Sequence, residues 1–510
     1  MSETKPVNAK LVKIVIAVVI VLVVLLGIYL AGNFILPNSI KSSYQDKNCD
    51  QVLALDNFYA NVYPAFMADP SIADQTKECA LYSFALENEE KKVWRDAYNA
   101  YKTYTESYPQ GLFVSEAYEH SAVVLTASAK EQLAAKKYSD SVETINLVLQ
   151  SFGKASAAAE ATSLMPEIYI AWAKDQRDSS DFSGAENTLK AFKTWAESAE
   201  KTEDIKSAQR ELAQTYLDWG LALQAQKQFE DAKTKFDQAV STDPEPLASA
   251  GPAIRAKAAQ AKLYTEWGDA FIEKNDFAGA IDRYQTAISF FESKDQPLAK
   301  DQVAAGYLKW AANLSGSEDF LGALKKVAEA AKNTGTEAGT KSVESAKSDT
   351  YTAFSKSSGS QARQAMKEVV KNVCEKNKKP DLPIFGLDES LVLAGIYGVD
   401  DKLPENVAAK TPGAMHYVAC VEMSTETLET KTFLWAKLVR EKYTWTVTLR
   451  QVDTAEIVIT KSIEGGTPPP IPEINRSNYV AILLGGTFYR SRGSNPDVAD
   501  LASWLLTVMK

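Results

Sequence analysis

Histidine, a side chain often used for acid–base catalysis and zinc binding, occurs only twice in the 510 residues, at His120 and His416. The two positions fall in different predicted regions, and neither has Cys, Asp or Glu neighbours at the spacing of metal ligands. A zinc site or a histidine-based catalytic triad is therefore hard to build from this sequence. We predict no catalytic, cofactor-binding or metal-ligating residue, and no cofactor.

Carboxylates are the other candidates for catalysis, and four stand out in the C-terminal part: Asp400, Asp401, Glu422 and Asp453. Two such groups could act as the acid and base of a hydrolase, but positions in solvated loops explain them more simply. The net charge is −10, and no run of Lys and Arg interleaves with aromatic residues, as it would along a phosphate backbone. The sequence predicts neither an enzyme nor a nucleic-acid partner.

Residues 14–36 form a continuous apolar run without a charged side chain. At about 1.5 Å rise per residue, a helix of this length crosses a hydrocarbon core roughly 30 Å thick. A cleaved signal peptide is the alternative, but its apolar run is shorter and ends in small residues, a pattern that residues 31–33 match poorly. We predict a transmembrane signal-anchor. Lysines outnumber acidic residues in the preceding segment, so residues 1–13 are expected in the cytoplasm and the remaining chain outside it, at the cell surface or in a periplasm.

The four cysteines fall into two groups, Cys49 and Cys79 near the membrane segment and Cys374 and Cys420 much later in the chain. Outside the cytoplasm, disulfides are the expected state. Four cysteines allow three pairings, and proximity favours Cys49 with Cys79 and Cys374 with Cys420. A catalytic thiol would need a base that the sequence does not offer, so we predict two structural disulfides.

A short phrase, Asp-Phe-x-Gly-Ala, occurs at residues 181–185, 276–280 and 319–323, and looser versions occur elsewhere in the chain. Its aromatic position recurs every 43–48 residues, and in several units a Trp followed by a small residue precedes it. Spacings of three and four place the large residues of each unit on one helix face. The residues predicted to pack the repeats are Trp94, Tyr138, Phe182, Trp219, Gly220, Phe229, Trp267, Gly268, Phe277, Trp310 and Phe320.

These units resemble tetratricopeptide repeats, and the best match begins at Tyr216, continues through Trp219 and Phe236, and ends at Pro244. The family repeats about every 34 residues, so the longer period here predicts lengthened helices or longer links. The resemblance implies an α-solenoid of helical hairpins over residues 45–335. Its large residues are used in packing, which leaves a concave surface for a protein or peptide partner.

The texture of the sequence changes after the repeats. Capping helices and a linker are predicted for residues 336–379, and a small β-rich α+β domain for residues 380–510. In residues 443–450, apolar side chains alternate with Thr and Arg, which is typical of a half-buried strand. Further strands are predicted at 415–423 and 455–461.

Two more features belong to this C-terminal part. A final amphipathic helix is predicted at residues 497–509. The proline-rich segment 465–472 is interpreted as a stiff connection after a strand. A proline-rich ligand for an aromatic groove is the alternative interpretation.

These features together predict a mainly α protein with one transmembrane helix, a TPR-like α-solenoid and a small β-rich C-terminal domain. The predicted function is a membrane-anchored extracytoplasmic scaffold for protein–protein interaction or complex assembly. A self-assembling structural component of the cell surface is the alternative, because copies of the array could contact one another. The predicted partners are the membrane, a protein or peptide on the array, and a second copy of this chain.

Overall fold

The structure, a computed structural model, describes residues 9–64, 69–246, 251–389, 393–399, 402–433, 436–471, 473 and 488–509. The predicted fold class is confirmed: the chain is mainly helical, with an apolar N-terminal helix, a series of helical hairpins and a small C-terminal sheet. It divides into two compact units, Met1–Lys257 and Ala258–Lys510.

Helices make up most of the N-terminal unit, whereas the C-terminal unit combines helices with the sheet. The N-terminal unit begins with α1 (Ala9–Leu30), a π-helical turn (Ala31–Ile35), α2 (Leu36–Gln45) and α3 (Cys49–Val62). It continues with α4 (Pro70–Glu90), α5 (Trp94–Ser107), α6 (Val114–Ala134), α7 (Tyr138–Ser151), α8 (Ala158–Asp178), α9 (Phe182–Ser198), α10 (Thr202–Ala225) and α11 (Phe229–Thr242). The boundary between the units lies in α12 (Pro252–Glu273), after which come α13 (Phe277–Ile288), α14 (Gln296–Gly316), α15 (Phe320–Lys332), α16 (Glu337–Lys356), α17 (Ser360–Lys376) and α18 (Val498–Val508).

Helices α4 to α15 form the hairpins, and each aromatic anchor of the repeated phrase is the first residue of a hairpin's second helix. The first helices of the hairpins have 21–24 residues. The second helices have 12–17 residues. The two helices of one hairpin thus match the roughly 34 residues of a whole tetratricopeptide unit. Lengthened helices therefore contribute to the long period, and links between hairpins such as residues 108–113 and 152–157 add to it.

Within the described residues, the C-terminal sheet has five strands: β1 (Leu393–Tyr397), β2 (Met415–Phe433), β3 (Ala436–Gln451), β4 (Ile457–Glu464) and β5 (Phe488–Arg492). The order is β1-β2-β3-β4, and β5 pairs with β3. The β1–β2 and β3–β5 pairs are parallel, whereas β2–β3 and β3–β4 are antiparallel. Trp445, Val447 and Leu449 of β3 are buried and pack against Leu501 and Leu505 of α18, so the sheet is covered by the last helix.

Part of the proline-rich segment is held in place by hydrogen bonds. Arg440 donates from Nε to the Pro468 carbonyl at 3.0 Å, and Ser491 donates to the Pro469 carbonyl at 3.1 Å. Pro468 and Ile471 are buried. These contacts favour the stiff connection over the proline-rich ligand, because the segment's carbonyls and apolar side chains are already used. Pro472 lies outside the described residues.

Each hairpin turn holds a non-glycine residue in the left-handed region, two positions before the second helix. In α10–α11 this residue is Lys227, with φ of +59°. The Gln228 amide closes the turn by donating to the Leu223 carbonyl at 3.0 Å, which is the long hydrogen bond of a Schellman motif. The corresponding residues in the other hairpins are Lys92, Lys136, Ser180, Asn275 and Glu318.

Lys227→Gly is therefore expected to stabilise the chain, by about 1 kcal/mol, because a side chain in the left-handed region carries a steric cost that glycine avoids. The measurement is thermal unfolding of the detergent-solubilised protein. Lys233→Gly is the matched control, because Lys233 lies inside α11, where glycine destabilises a helix by about 1 kcal/mol. A lower melting temperature for Lys227→Gly would contradict this account of the turn.

Candidate functional site

The four cysteines lie in two pairs at disulfide distance, and the pairing is the predicted one. Cys49 and Cys79 join α3 to α4 with their Cα atoms 5.1 Å apart. Cys374 and Cys420 join the end of α17 to β2 with their Cα atoms 5.5 Å apart. Each pair therefore links elements that are separated in sequence.

The repeated phrase Asp-Phe-x-Gly-Ala is a helix start. Asp181 is the N-cap of α9, and its Oδ1 accepts a hydrogen bond from the Gly184 amide at 2.9 Å. A Cβ atom on Gly184 would lie 2.1 Å from Asp181 Oδ2, so glycine leaves room for the cap. Asp276 with Gly279 and Asp319 with Gly322 repeat the arrangement. The Asp and Gly of the phrase are thus explained by capping of the second helix.

The aromatic anchors connect neighbouring hairpins by stacking on the next hairpin's first helix. Phe182 at the start of α9 stacks on Trp219 of α10, with ring centroids 6.0 Å apart and an angle of 11° between the planes. Tyr138 stacks on Trp172 at 6.3 Å, and Phe277 stacks on Trp310 at 6.1 Å. These rings are occupied by packing between repeats.

The same Trp positions also receive cations from the second helix of their own hairpin. Lys235 Nζ lies 3.5 Å from the Trp219 ring centroid, and Lys326 Nζ lies 3.4 Å from that of Trp310. Desolvation by burial lowers the pKa of Lys235, against the opposing influence of Glu186. Each contact is a cation–π interaction that ties the two helices of a hairpin together.

The small residue after Trp serves the packing inside a hairpin. Gly220 of α10 faces Phe236 of α11, and a Cβ atom at Gly220 would lie 2.6 Å from the Phe236 ring. Gly268 faces Tyr284 in the same way, at 2.5 Å. Phe236 is fully buried, so the glycine allows the two helices to approach across an aromatic ring. The other predicted packing residues have different contacts. Trp94 packs against the buried cluster that includes Tyr101 and Tyr104, and Phe320 stacks on Phe354 with ring centroids 4.8 Å apart. Phe229 is the first residue of α11, and the Trp267 ring centroid lies 4.2 Å from the Arg283 guanidinium.

Polar residues near the hairpin turns also bond across the hairpin. Gln132 of α6 accepts from the Thr144 hydroxyl at 3.0 Å, and Gln176 of α8 accepts from the Thr188 hydroxyl at 2.9 Å. In the sequence, these residues have the pattern of polar surface. Their hydrogen bonds could have been recognised from one regularity, because Gln and Thr are twelve residues apart in both pairs.

His120, the first of the two histidines, belongs to a network of three helices. Glu89 of α4 accepts hydrogen bonds from the Tyr101 hydroxyl at 2.5 Å and from His120 Nδ1 at 2.9 Å. The bond to Glu89 raises the pKa of His120 although burial opposes it. The pKa of Glu89 is lowered because the bonds from His120 and Tyr101 together outweigh the desolvation caused by burial. Protonated His120 thus holds α6 to α4.

This network predicts a pH dependence of stability. The folded-state pKa of His120 lies above its unfolded value of about 6.5. The stabilisation is then fully present below pH 6.5 or so, and is lost as the pH rises through the folded pKa. We expect the melting temperature of the first unfolding transition to fall as the pH rises through this interval. In His120→Gln, the melting temperature should depend less on pH. Parallel pH curves for the two proteins would contradict the role of His120.

The carboxylates considered for catalysis are not brought into a described site. Asp400 and Asp401 lie outside the described residues, whereas Glu422 on β2 and Asp453 after β3 are exposed. His416 bonds through Nε2 to the Asp388 carbonyl at 2.8 Å. Within the part of the chain that the structure describes, no group of three or more His, Cys, Asp or Glu side chains could hold a metal ion.

A cavity of about 690 Å³ lies in the C-terminal unit, between α17, β1 and the segment after β1. Met366 and Val370 of α17 and Ile396 of β1 supply part of its apolar lining. Leu403 and Met415 also line it. This cavity could not be predicted from the sequence, because its walls come from a helix, an edge strand and a loop that are apart in the chain.

The charged groups lining this cavity have one sign. Arg363, Lys367 and Lys371 follow each other at intervals of four on α17, and Lys410 lies across from them; among the described lining residues, none is acidic. Lys410 lies 3.5 Å from Glu405, which is outside the lining. A row at intervals of four shares one helix face, so a basic edge runs beside an apolar surface.

Strand β1 adds backbone groups to the cavity. The Ala394 amide donates to the Val407 carbonyl at 2.9 Å, and the Ala409 amide donates to the Ala394 carbonyl at 3.3 Å. The backbone N–H and C=O groups of Ala394 therefore point away from β2. Because a strand repeats every two residues, the N–H and C=O groups of Ile396 point the same way. The edge of β1 thus presents an N–H and a C=O beside the basic, apolar cavity.

Comparisons with known proteins add little to this description. No family model matches the chain, and no curated protein matches it. Among solved structures, BtubC from P. vanneervenii is similar over 52% of this chain and 92% of its own, at 12% identity and a TM-score of 0.16. The yeast Sti1 TPR2AB domain in complex with pHSP90 is similar over 53% of this chain and 95% of its own, at 14% identity and a TM-score of 0.16.

Yeast Tom70 is similar over 62% of this chain and 96% of its own, at 11% identity and a TM-score of 0.15. These TM-scores are too low to carry an inference about fold or function. The assignment of repeats therefore rests on the hairpins of this chain.

Proposed function

We propose that this chain is a membrane-anchored scaffold that displays its helical hairpins outside the cytoplasm and binds a protein partner there. The observation that carries the proposal is the helix Lys10–Gln45, which is apolar enough to cross a membrane by length and composition and is followed by α3 after a three-residue turn. The two disulfides are in keeping with an oxidising compartment. The short N-terminal tail, residues 1–13, stays in the cytoplasm.

The hairpins support a binding role more than a chemical one. Their aromatic rings are used in stacking between neighbouring hairpins, and their repeated polar residues are used in bonds within hairpins. What is left for a partner is surface, as in other helical repeat arrays. A self-assembling structural component would use the same surface for a second copy of this chain.

The cavity in the C-terminal unit is our candidate for one contact with the partner. Its basic edge favours acidic side chains, its apolar lining favours aliphatic ones, and the open edge of β1 suits an extended backbone. We propose that it takes an extended peptide segment with acidic and apolar residues. A free fatty acid, which offers the same charge and apolarity without a backbone, is the competing ligand for the test to exclude.

The test is crosslinking with mass spectrometry on the full-length protein in its native cells, followed by charge reversal at the cavity. One recurring heterologous partner, crosslinked to residues of the hairpins or the cavity, is the expected result. Lys371→Glu is expected to reduce its recovery, whereas the matched control Lys376→Glu, on the same helix but outside the lining, is expected to leave it unchanged.

Other outcomes would change the proposal. Crosslinks between copies of this chain alone would replace the scaffold with the self-assembling component. Equal recovery with Lys371→Glu and Lys376→Glu would remove the cavity from the proposal. A fatty acid that co-purifies with the wild-type protein and is lost in Lys371→Glu would assign the cavity to a lipid instead of a peptide.

A further inference from the structure

The anchor helix begins as an exposed, apolar rod. The large apolar side chains between Leu11 and Leu30 are 41–62% exposed. The helix then passes through the π-helical turn Ala31–Ile35 into α2. Its apolar run, residues 14–36, ends where α2 begins.

Burial on the anchor helix starts before the apolar run has ended. Gly32 is buried, and so are Pro37, Ile40 and Ser43 further along the helix. Pro37, Ile40 and Ser43 follow one another at intervals of three and lie along one side of α2. Gly32 lies four residues before Leu36, which is about 6 Å at the rise of a helix. Part of the folded chain therefore covers the anchor within its apolar run.

Helix α3 runs back along α2 towards the apolar run. A three-residue turn separates the two helices, and Val52 and Tyr59 of α3 belong to the same hydrophobic cluster as Ile40 of α2. Helix α3 has 14 residues and α2 has 10, so α3 extends about 6 Å further in that direction. The last turn of α3 thus comes level with the apolar run near Gly32.

The same last turns of α3 expose two large apolar side chains. Phe58 and Val62 are each 51% exposed. A polar side of the helix lies beside them, where Asn61 donates to Asn57 Oδ1 at 2.9 Å. Lys41 of α2, which follows the end of the apolar run, forms an ion pair with Asp69 at 2.6 Å. The exposed apolar side chains therefore lie in the last turns of α3, whereas the ion pair involves α2 beyond the end of the apolar run.

We propose that the end of α3, with Phe58 and Val62, inserts into the interfacial region of the membrane that the anchor helix crosses. The occupant of this surface is the lipid bilayer, because the surface continues the apolar run of the anchor. The inference rests on the proposed anchoring. It adds that the first helices sit on the bilayer as a second, interfacial contact, with no spacer between membrane and fold.

The test uses the full-length protein reconstituted in phosphatidylcholine vesicles, with the environment-sensitive dye NBD attached to one introduced cysteine at a time. The positions are Phe58→Cys and Val62→Cys, with Leu22→Cys inside the anchor and Val93→Cys in the turn between α4 and α5 as controls. A lipid carrying a nitroxide near the head of its acyl chain serves as the quencher. We expect blue-shifted emission and strong quenching at Phe58→Cys and Val62→Cys, and neither effect at Val93→Cys.

The controls separate the two claims. If Leu22→Cys is quenched while Phe58→Cys and Val62→Cys behave like Val93→Cys, the interfacial contact is wrong and the anchor stands. If Leu22→Cys shows no quenching by any lipid-borne nitroxide, the anchor itself is wrong and the contact falls with it. A water-soluble quencher should reach the dye at Val93→Cys more easily than at Phe58→Cys or Val62→Cys. Equally strong quenching at all three positions would also overturn the contact.

Discussion

Replacing Gly220 with Ala is expected to destabilise the N-terminal unit by up to about 2 kcal/mol, which is the usual overpacking cost of about 1–3 kcal/mol less the gain of about 1 kcal/mol that Ala brings to a helix interior. The added Cβ atom would lie 2.6 Å from the ring of Phe236, which is fully buried between α10 and α11. The ring cannot give way without separating the two helices. Thermal unfolding of the detergent-solubilised protein measures the effect.

Gly316→Ala is the matched control for this prediction. Gly316 lies at the end of α14, and a Cβ atom there would meet nothing within 4 Å. Its melting temperature is expected to stay the same or rise. A second variant, Gly220→Ala with Phe236→Leu, should recover part of the lost stability because the smaller side chain makes room. If Gly220→Ala were as stable as Gly316→Ala, the close approach of α10 and α11 would be wrong.

Removing the Cys49–Cys79 pair is expected to cost about 3–4 kcal/mol in the chain-entropy account of disulfides. The pair closes a loop across a sequence separation of 30 residues and joins α3 to α4. Ala is the suitable replacement because Cys79 is fully buried, where a serine hydroxyl would need a hydrogen-bond partner. The double variant Cys49→Ala, Cys79→Ala should show an earlier first unfolding transition.

The reductant provides the check on this second prediction. Dithiothreitol should lower the first transition of the wild-type protein towards that of the double variant. It should leave the first transition of the variant itself in place, because the remaining pair, Cys374 and Cys420, lies in the C-terminal unit. An unchanged melting temperature of the double variant would mean that α3 and α4 are held by packing alone.

The sequence was most informative where one residue type recurs with a helical period. The aromatic anchors, from Trp94 to Phe320, could be recognised because each occupies the same position, the first residue of the second helix, in its hairpin. The reason for the Asp and Gly of the phrase could not be read in advance, because it lies in the backbone geometry of a cap. The left-handed residue of each turn was hidden for a similar reason, since Lys, Ser, Asn and Glu all occur there.

The C-terminal unit was harder to predict because its contacts are long-range. Strand β2 runs from Met415 to Phe433, well beyond the predicted 415–423. The prediction was too short because the second half of the strand is exposed and lacks the alternating buried face from which a strand is recognised. Capping helices and a linker were predicted for residues 336–379, and α16 and α17 occupy most of that stretch, separated by Ser357–Gly359.

The cavity shows the same limit. Its basic residues on α17 are spaced at intervals of four, which in the sequence is also the pattern of any solvated helix face. Only the position of β1 beside that face turns the row into the edge of a cavity. Strand β1 itself is short and contains Gly395, so its residues carry no clear strand signal.

The most direct test of the scaffold proposal is a protease-protection measurement on the full chain with a tag at each end, made in native cells whose outer layers have been removed. The account predicts that added protease destroys the C-terminal tag while the cytoplasmic membrane is intact and spares the N-terminal tag until that membrane is opened. Protection of both tags until the membrane is opened would place the hairpins in the cytoplasm. Such a result would contradict the proposed topology, and with it the compartment in which the two disulfides are expected to form.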